Sequence, residues 1–297
     1  MSLSPRQIHA QAAELAAGLP ALMLAAERLA QAVAPGAHGL RRSGQGEDFW
    51  QYRPAHDSDG ARQIDWRRSA RSDARFVRER ERQNARALGV WVAGDAGMDY
   101  AGQGGGESKA ARARLLALGA AIMALRAGER AALLGETPRQ GMQRAEAMAR
   151  AMLQPASHAA RSSADNRSDP ASPDPAQIRP GVSHLLIGDF LGDLSGFETC
   201  LQRASALGAG GVLVQVLHPD EEDFPFDGAL RFEAPGGASR FETRDAGGLR
   251  AAYRARLGAR RDQLARLAAG AGWRFVTHRL DVAPARGLEQ IYGALTL

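Results

Sequence analysis

Near the start of the chain, apolar residues recur at alternating spacings of four and three positions, from Ile8 to Val33. That spacing places them on one face of a helix, so we predict that residues 5–33 are helical. Pro20 lacks the N–H group that a helix interior needs. We therefore expect a break or kink at Pro20, or a second helix that begins there. The apolar face favours packing on the helix's own domain over an intermolecular coiled coil.

Beyond residue 87, short apolar runs alternate with longer amphipathic stretches. The apolar runs are typical of buried strands and the amphipathic stretches of helices. We predict strands at 88–93, 130–135, 182–187, 211–217 and 273–278, and helices at 107–127, 142–153, 195–207, 248–269 and 288–295. A Pro-Gly-Gly turn at 235–237 predicts a hairpin between 229–233 and 239–244. The alternation predicts an α/β fold with a mostly parallel, doubly wound sheet.

One stretch, at about 154–181, departs from this rhythm. It contains five prolines, and Ile178 is its single large apolar residue. Such a composition buries too little apolar surface to offset the entropy lost on ordering. We predict a disordered insertion here, inside the α/β domain, because the strand and helix pattern resumes unchanged after it.

Residues 36–86 combine aromatic and charged side chains at high density. Five aromatic residues lie among twelve arginines and eight acidic residues. Guanidinium groups stack on rings and bind carboxylates with two hydrogen bonds, so this composition indicates a folded element of short strands and turns. We expect Phe49, Trp50, Ile64 and Trp66 to pack against the sheet.

Two blocks of this segment carry a family resemblance. HGLRRSGQGEDFWQYR and DGARQIDWRRSARSDARFVRERE resemble the signature of the bacterial "domain of unknown function 58" family, which is related to von Willebrand factor A-type (vWA) domains. Looser matches follow at LIGDF and HPDEEDFPFDG. The resemblance is to a short form without transmembrane helices. The signature residues are Gly44, Gly46, Phe49, Trp50, Arg53, Asp65, Trp66, Arg67, Arg71, Arg78 and Glu79.

The periodicity, the composition and the resemblance together predict a domain organisation. Residues 1–35 would form an N-terminal helical segment, 36–86 a signature region packed on the main domain, and 87–297 a vWA-like α/β domain. Within the signature region we expect Asp65 to pair with Arg67, Arg71 or Arg78.

Polar residues follow several of the predicted strands, and ligands of doubly wound sheets bind at such strand ends. The resemblance implies a metal-ion-dependent adhesion site here, in which an Asp-x-Ser-x-Ser motif, a Thr and a later Asp bind Mg²⁺. Ala93, Asp95 and Gly97 stand at the three motif positions, Asp189 matches the later Asp, and Thr137 the Thr. Because two of the three lead positions lack their ligand oxygen, we do not expect tight metal binding.

Asp95 and Asp189 remain the candidates for any Mg²⁺. The alternative is that both aspartates cap helices or hold loops.

The sequence gives little support for enzymatic activity or for phosphate binding. It has no Gly-x-Ser-x-Gly, Walker A or His-Glu-x-x-His motif. The glycine-rich stretch 102–106 lacks the Lys-Ser/Thr of a phosphate-binding loop, so we interpret it as a flexible loop. The acidic segment 218–223 follows a strand end and is interpreted as a solvated loop, with cation binding as the alternative.

Charge and composition narrow the function classes. The net charge of +5 would suit nucleic-acid binding, but Lys109 is the single lysine among 38 basic residues, a bias typical of genomic base composition. The single Cys200 rules out an intramolecular disulfide. The sequence has no apolar run long enough to span a membrane, and we expect a cytoplasmic protein.

We therefore interpret the chain as a non-enzymatic protein-interaction module. The resemblance implies a partnership with a MoxR-type AAA+ ATPase, as adaptor or co-chaperone. The expected partner face comprises Asp95, Met98, Asp99, Thr137 and Asp189. The alternatives are a metal-dependent hydrolase that uses Asp95 and Asp189, and an arginine-rich nucleic-acid-binding protein.

Overall fold

The structure, a computed structural model, describes residues 5–33, 49–54, 76–80, 86–154, 171–233 and 240–296. Side chains are described from residue 18 onward within these ranges, except those of 49–54, 76–80 and 296. The chain divides into two compact units, residues 1–36 with 86–297, and residues 37–85.

The smaller unit contains two antiparallel strands, β1 (Phe49–Pro54) and β2 (Phe76–Arg80). Arg53 pairs with Val77, and the register shifts between Phe49 and Gln51. Two residues thus oppose one at this point, which is the pattern of a β-bulge. The short strands predicted in this segment are confirmed where the structure describes them.

The larger unit is built on a five-stranded parallel sheet. Its strands are β3 (Ala87–Val92), β4 (Arg130–Leu133), β5 (Ser183–Gly188), β6 (Gly211–Leu217) and β9 (Arg274–Arg279), in the order β4-β3-β5-β6-β9. Strands β7 (Leu230–Glu233) and β8 (Arg240–Thr243) form a separate antiparallel hairpin. Each of these strands lies within one or two residues of its predicted position. The predicted α/β fold class, with a mostly parallel sheet flanked by helices, is confirmed.

The strand order creates a switch point between β3 and β5. The chain passes from β3 to β4 on one side of the sheet, and from β5 through β6 to β9 on the other. The two strands pair up to Val92 and Ile187, and the Ala93 amide then donates to the Ile187 carbonyl at 2.8 Å. Their carboxyl ends therefore open side by side at the place where doubly wound sheets bind ligands.

Helices cover both faces of the sheet. They are α1 (Pro5–Val33), α2 (Lys109–Arg126), α3 (Gln143–Leu153), α4 (Ser195–Ala206), α5 (Pro219–Asp223), α6 (Arg250–Gly270) and α7 (Pro284–Thr296). A single 3₁₀ turn follows β3 at Ala96–Asp99. Helix α7 begins four residues earlier than predicted, since Pro284 has the fixed φ that suits a first helical turn.

Alternate residues of the central strands point into two separate cores. Leu185 and Ile187 of β5 join the core that α1, α2, α3 and α7 cover, whereas Leu186 joins the core under α4 and α6. This alternation is the period of a strand that is buried on both faces. It explains why the strand sequences read as unbroken apolar runs.

Helix α1 runs through Pro20 without ending, so the predicted break or second helix is wrong. Pro20 is exposed. The backbone carbonyl one turn before it lacks its helical N–H donor, but at this exposed position it can accept a hydrogen bond from water. On the opposite side, Ala26, Leu29 and Val33 are buried against the domain, as the spacing predicted.

The predicted disordered insertion is wrong for its second part. Residues 171–181 contain a 3₁₀ turn (Pro175–Gln177), and Ile178 is 2 % exposed in the core under α4. Asp174 caps that turn, since its carboxylate accepts from the Ala176 amide at 2.9 Å. The buried side chains of Pro173 and Ile178 thus anchor this polar segment. The rest of the predicted insertion, 155–170, lies outside the described residues.

Candidate functional site

Asp95 and Asp189 lie together at the switch point. Asp95 caps the 3₁₀ turn after β3, where its Oδ2 accepts from the Gly97 amide at 3.1 Å. A Cβ atom built on Gly97 would lie 2.8 Å from Asp95 Oδ2 and 3.0 Å from Asp189 Oδ2. Gly97 is therefore enclosed between two carboxylates that follow adjacent strands.

A buried ammonium group completes this cluster. Lys109, the first residue of α2, is 1 % exposed, and its Nζ donates to Asp189 Oδ2 at 2.7 Å and to Glu221 Oε1 at 2.5 Å. Glu221 comes from α5, which follows the end of β6. The carboxyl ends of β5 and β6 and the N-terminus of α2 thus meet at a single cation.

Glu221 is held in place by its own helix. Its Oε2 accepts from the His218 amide at 2.8 Å, while the His218 ring caps α5 by accepting from the Asp220 amide at 3.1 Å. This reciprocal arrangement is a capping box, with histidine as the capping residue. It aims the other carboxylate oxygen of Glu221 at Lys109.

The neighbouring Asp220 fixes the loop between β3 and α2. Its Oδ2 accepts from the Tyr100 hydroxyl at 3.2 Å and from the Gln103 amide at 3.3 Å. Burial, together with the negative charge of Asp220, raises the pKa of Tyr100 to about 12, so the phenol keeps its proton. Tyr100 also packs edge-on against His218, with ring centroids 5.3 Å apart.

Burial shifts the pKa of two carboxyl groups of the cluster, those of Asp95 and Glu221. It raises the pKa of Asp95, and the nearby charge of Asp189 raises it further. Burial likewise raises the pKa of Glu221, although the Lys109 ammonium opposes that rise. The cluster thus concentrates negative charge where water is scarce, and Lys109 is the cation that offsets it.

The remaining acids of α5 pair with arginines behind the site. Asp223 accepts two hydrogen bonds from Arg279, at 2.9 and 3.0 Å, and Glu222 pairs with Arg261. The Gln215 side chain links this layer to the site, since it donates to the Asp189 carbonyl at 2.8 Å and accepts from Arg261 at 3.1 Å. The solvated loop predicted for 218–223 is therefore wrong: the segment is a short helix whose acids bind four parts of the fold.

Comparison with known proteins decides the family. The family model described as "Protein of unknown function DUF58" matches residues 51–263, which is more than half of the chain. The chain belongs to the DUF58 family. The predicted family membership is confirmed.

Other comparisons add little to this assignment. No curated protein matches the DUF58 chain. Among solved structures, it is similar to the crystal structure of the conserved hypothetical protein BatB from Bacteroides thetaiotaomicron. The identity is 13%, the TM-score is 0.37, and the match covers 71% of this chain and 99% of that one.

The structure separates the predicted face residues of this DUF58 protein. Asp99 is exposed on the 3₁₀ turn, Asp95 is half-buried, and Asp189 is 7 % exposed. Met98 is fully buried in the larger core, so it cannot contact a partner as predicted. Helical geometry explains the difference, because adjacent residues of one turn point in different directions.

Thr137 is not brought to the cluster. It is exposed in the turn after β4. The last paired residue of that strand, Leu133, pairs with Val90, which lies before the end of β3. The chain then turns back, so that Arg139 bridges to Ala131. Strand β4 is too short to carry Thr137 to the edge where Asp95 lies.

The donor set does not fit the Mg²⁺ that the vWA resemblance implies. Ala93 and Gly97 offer no side-chain oxygen, and the Lys109 ammonium is bonded to Asp189. Within the described ranges, no group of three or more His, Cys, Asp or Glu residues is placed to hold a metal ion. Asp95 and Asp189 meet, as predicted, but in a cluster that already contains a cation.

Several predicted residues lie outside the description. Backbone alone is described for Phe49, Trp50, Arg53, Arg78 and Glu79. Gly44, Gly46, Ile64, Asp65, Trp66, Arg67 and Arg71 are outside the described residues, so the predicted packing and ion pairs of the signature region stay predictions.

Sequence reasoning missed Lys109 and Glu221 as members of the site. One signal was available for Lys109, because it is the single lysine of an arginine-rich chain and stands at the start of a helix, where a cation is unfavourable.

No helix in the described part of the chain is long and apolar enough to span a membrane.

Proposed function

We propose that this DUF58 protein is a non-enzymatic interaction module that binds a partner protein through the loops at the carboxyl edge of its sheet. The observation that carries the proposal is the internal pairing of the strand-end charges. Lys109 binds Asp189 and Glu221, and Tyr100 binds Asp220. A buried carboxylate bonded to an ammonium is a poor nucleophile or base, because its lone pairs are engaged.

The rim around this cluster has the character of a contact surface. Asp99 and Asp193 are exposed beside the switch point, and Leu191 is 37 % exposed on the loop after β5. Leu191 is held by its own loop, since its amide donates to Asp189 Oδ1 at 3.1 Å. An apolar side chain between acidic ones suits a partner loop with basic residues around an apolar contact.

The partner that we propose is a MoxR-type AAA+ ATPase, with the module acting as an adaptor or co-chaperone. The support for the ATPase is the family resemblance of the signature region. The support for the surface is its position at the switch point, where the loops of doubly wound sheets bind ligands.

Affinity for the purified ATPase tests the proposal. Leu191→Glu and Asp99→Arg should each weaken binding by about tenfold or more, since interface anchors are worth more than about 1 kcal/mol. Asp262→Arg makes the same charge change on exposed α6, away from the rim, and should bind normally. Unchanged binding by both rim variants would rule out this face.

The metal requirement is tested in the same assay. Because Lys109 offsets the charge of the strand-end carboxylates, we expect the affinity to be the same in EDTA and in Mg²⁺. Binding that EDTA abolishes and Mg²⁺ restores would favour a metal-bridged contact. The rim variants avoid Asp189, whose substitution would leave the buried Lys109 ammonium without one of its two carboxylate partners.

A further inference from the structure

The charge balance of the strand-end cluster points to a role for the chain's single lysine. Asp95, Asp189 and Glu221 converge at the carboxyl edge, and Lys109 Nζ bonds two of them. Isolated carboxylates are costly to bury, so such a cluster needs a cation. A divalent metal ion such as Mg²⁺ is one cation that carboxylate oxygens bind.

We propose that the Lys109 ammonium is the permanent cation of this site and takes the place that a divalent metal ion would otherwise occupy. The site is then closed to metal ions in the native chain. Removing the ammonium should convert it into a divalent-cation site with Asp189 and Glu221 as ligands. This inference holds whether or not the rim binds a partner.

The position of Lys109 supports this role over a local one. As the first residue of α2, it stands at the positive end of the helix dipole, where a cation destabilises the helix. Its side chain is nevertheless 1 % exposed. Long-range pairing therefore accounts for its burial, because Asp189 is 80 and Glu221 is 112 positions away in sequence.

The chemistry of the side chain fits the space. An ammonium is a compact point charge with three donors, whereas a guanidinium is a wide planar fork. Lys109 Nζ meets two carboxylates from different directions, and the Tyr100 ring lies 5.9 Å from it. Lys109 is the one lysine in a chain whose other basic residues are arginines. We expect the wider guanidinium of an arginine at this position to displace α5.

The test compares the native chain with Lys109→Met by thermal melting and by the EPR signal of free Mn²⁺, in EDTA and with Mg²⁺, Mn²⁺ or Ca²⁺. The native chain should melt identically in all buffers and bind no Mn²⁺ at this site. Lys109→Met should melt roughly 10 °C lower in EDTA, since breaking a buried ion pair leaves charges uncompensated. Divalent ions should raise the melting temperature of Lys109→Met by several degrees, and this variant should bind Mn²⁺.

Two control variants make the result specific. Lys109→Arg retains the positive charge, so its melting temperature should not respond to metal ions. The wider guanidinium should nevertheless lower that melting temperature. Arg279→Met frees the carboxylates of Asp223 and Asp281 at the surface, and it should not respond either. An equal response by Arg279→Met would mean that any unpaired carboxylates bind the ions, and the proposal would be wrong.

A charge-compensated variant covers the case in which Lys109→Met does not fold. Lys109→Met with Asp189→Asn and Glu221→Gln removes the cation and both paired anions. It should fold, melt closer to the native chain and ignore divalent ions. The proposal would be overturned if this triple variant melted no closer to the native chain than Lys109→Met does. It would also be overturned if the native chain, with Lys109 in place, bound Mn²⁺ at this site.

Discussion

Lys109 and Asp189 are 80 positions apart in sequence, and their side chains meet at 2.7 Å. The contact joins the N-terminus of α2 to the end of β5 across the switch point of the sheet. Glu221 extends it to the end of β6. The carboxyl edge, which in this fold class is the ligand-binding edge, is thereby cross-linked by ion pairs.

This cross-linking connects the cluster to the surface that surrounds it. Asp189 accepts from Lys109 through Oδ2 and from the Leu191 amide through Oδ1, so one carboxylate serves both the buried cation and the exposed loop. The loop after β3 is held in the same way, through Tyr100 and Asp220. The rim loops are therefore positioned before any partner arrives, and preorganised loops lose less entropy on binding.

The first prediction concerns the space between the two aspartates. Gly97→Ala places a methyl group 2.8 Å from one carboxylate oxygen and 3.0 Å from another. We expect a loss of about 1–3 kcal/mol in the free energy of unfolding, as for other overpacked sites. Urea denaturation measures it. Gly104→Ala is the control, because nothing lies within 4 Å of its Cβ position; equal losses for the two variants would contradict this account.

The same geometry shows how far sequence reasoning reaches at this site. Asp95 and Asp189 were predicted to meet because each follows an apolar run, and parallel strands end at one edge. The vWA-type motif has a serine where Gly97 stands, and the absence of that serine is visible in the sequence. That Gly97 is enclosed by both carboxylates is visible only in three dimensions.

The parts that escaped prediction share a physical cause. Strands and helices follow from local periodicity, which the sequence displays directly. The pairing of Lys109 with Glu221 spans 112 positions, and the burial of Ile178 depends on α4, which lies after it. Neither leaves a local pattern. The acids of α5 looked solvated for the same reason, since the residues that bind them come from the loop after β3 and from α2, α6 and β9.

The second prediction concerns the link between Tyr100 and Asp220. Tyr100→Phe removes a hydroxyl that donates to Asp220 at 3.2 Å. We expect a loss of about 1 kcal/mol in the free energy of unfolding, typical of one hydrogen bond to a charged acceptor with partial solvent access. Tyr253→Phe is a matched control, since the half-buried Tyr253 hydroxyl makes no hydrogen bond to the described residues. A larger loss for Tyr253→Phe than for Tyr100→Phe would refute the assignment.

The third prediction concerns the segment before β5. Ile178 is 2 % exposed among the side chains of α4. Ile178→Ala should lower the free energy of unfolding by about 2–5 kcal/mol, through lost burial and the cavity that remains. Leu24→Ala, at a position 50 % exposed on α1, should change it by less than about 0.5 kcal/mol. Equal melting temperatures for Ile178→Ala and the native chain would show that 171–181 is dispensable.

The fourth prediction concerns His278, at the end of β9 and 3 % exposed. Arg112 donates to its Nε2 at 2.8 Å, so the ring is neutral and its proton is on Nδ1. Burial and the adjacent Arg112 charge lower the pKa of His278 to about 4, although Glu107 and Asp281 oppose this shift.

The direction of the pH effect follows from linkage. Between pH 6.5 and about 4, the unfolded chain binds a proton at His278 that the folded chain does not. Stability due to this group is therefore complete above pH 6.5, falls as the pH is lowered to about 4, and is constant below that. The loss in the free energy of unfolding amounts to at most about 3 kcal/mol.

His278→Gln can still accept from Arg112 but cannot titrate, so its free energy of unfolding should fall less steeply than that of the native chain over this window. Urea melts of both proteins at a series of pH values measure the difference, and parallel curves would show that His278 is not the group responsible.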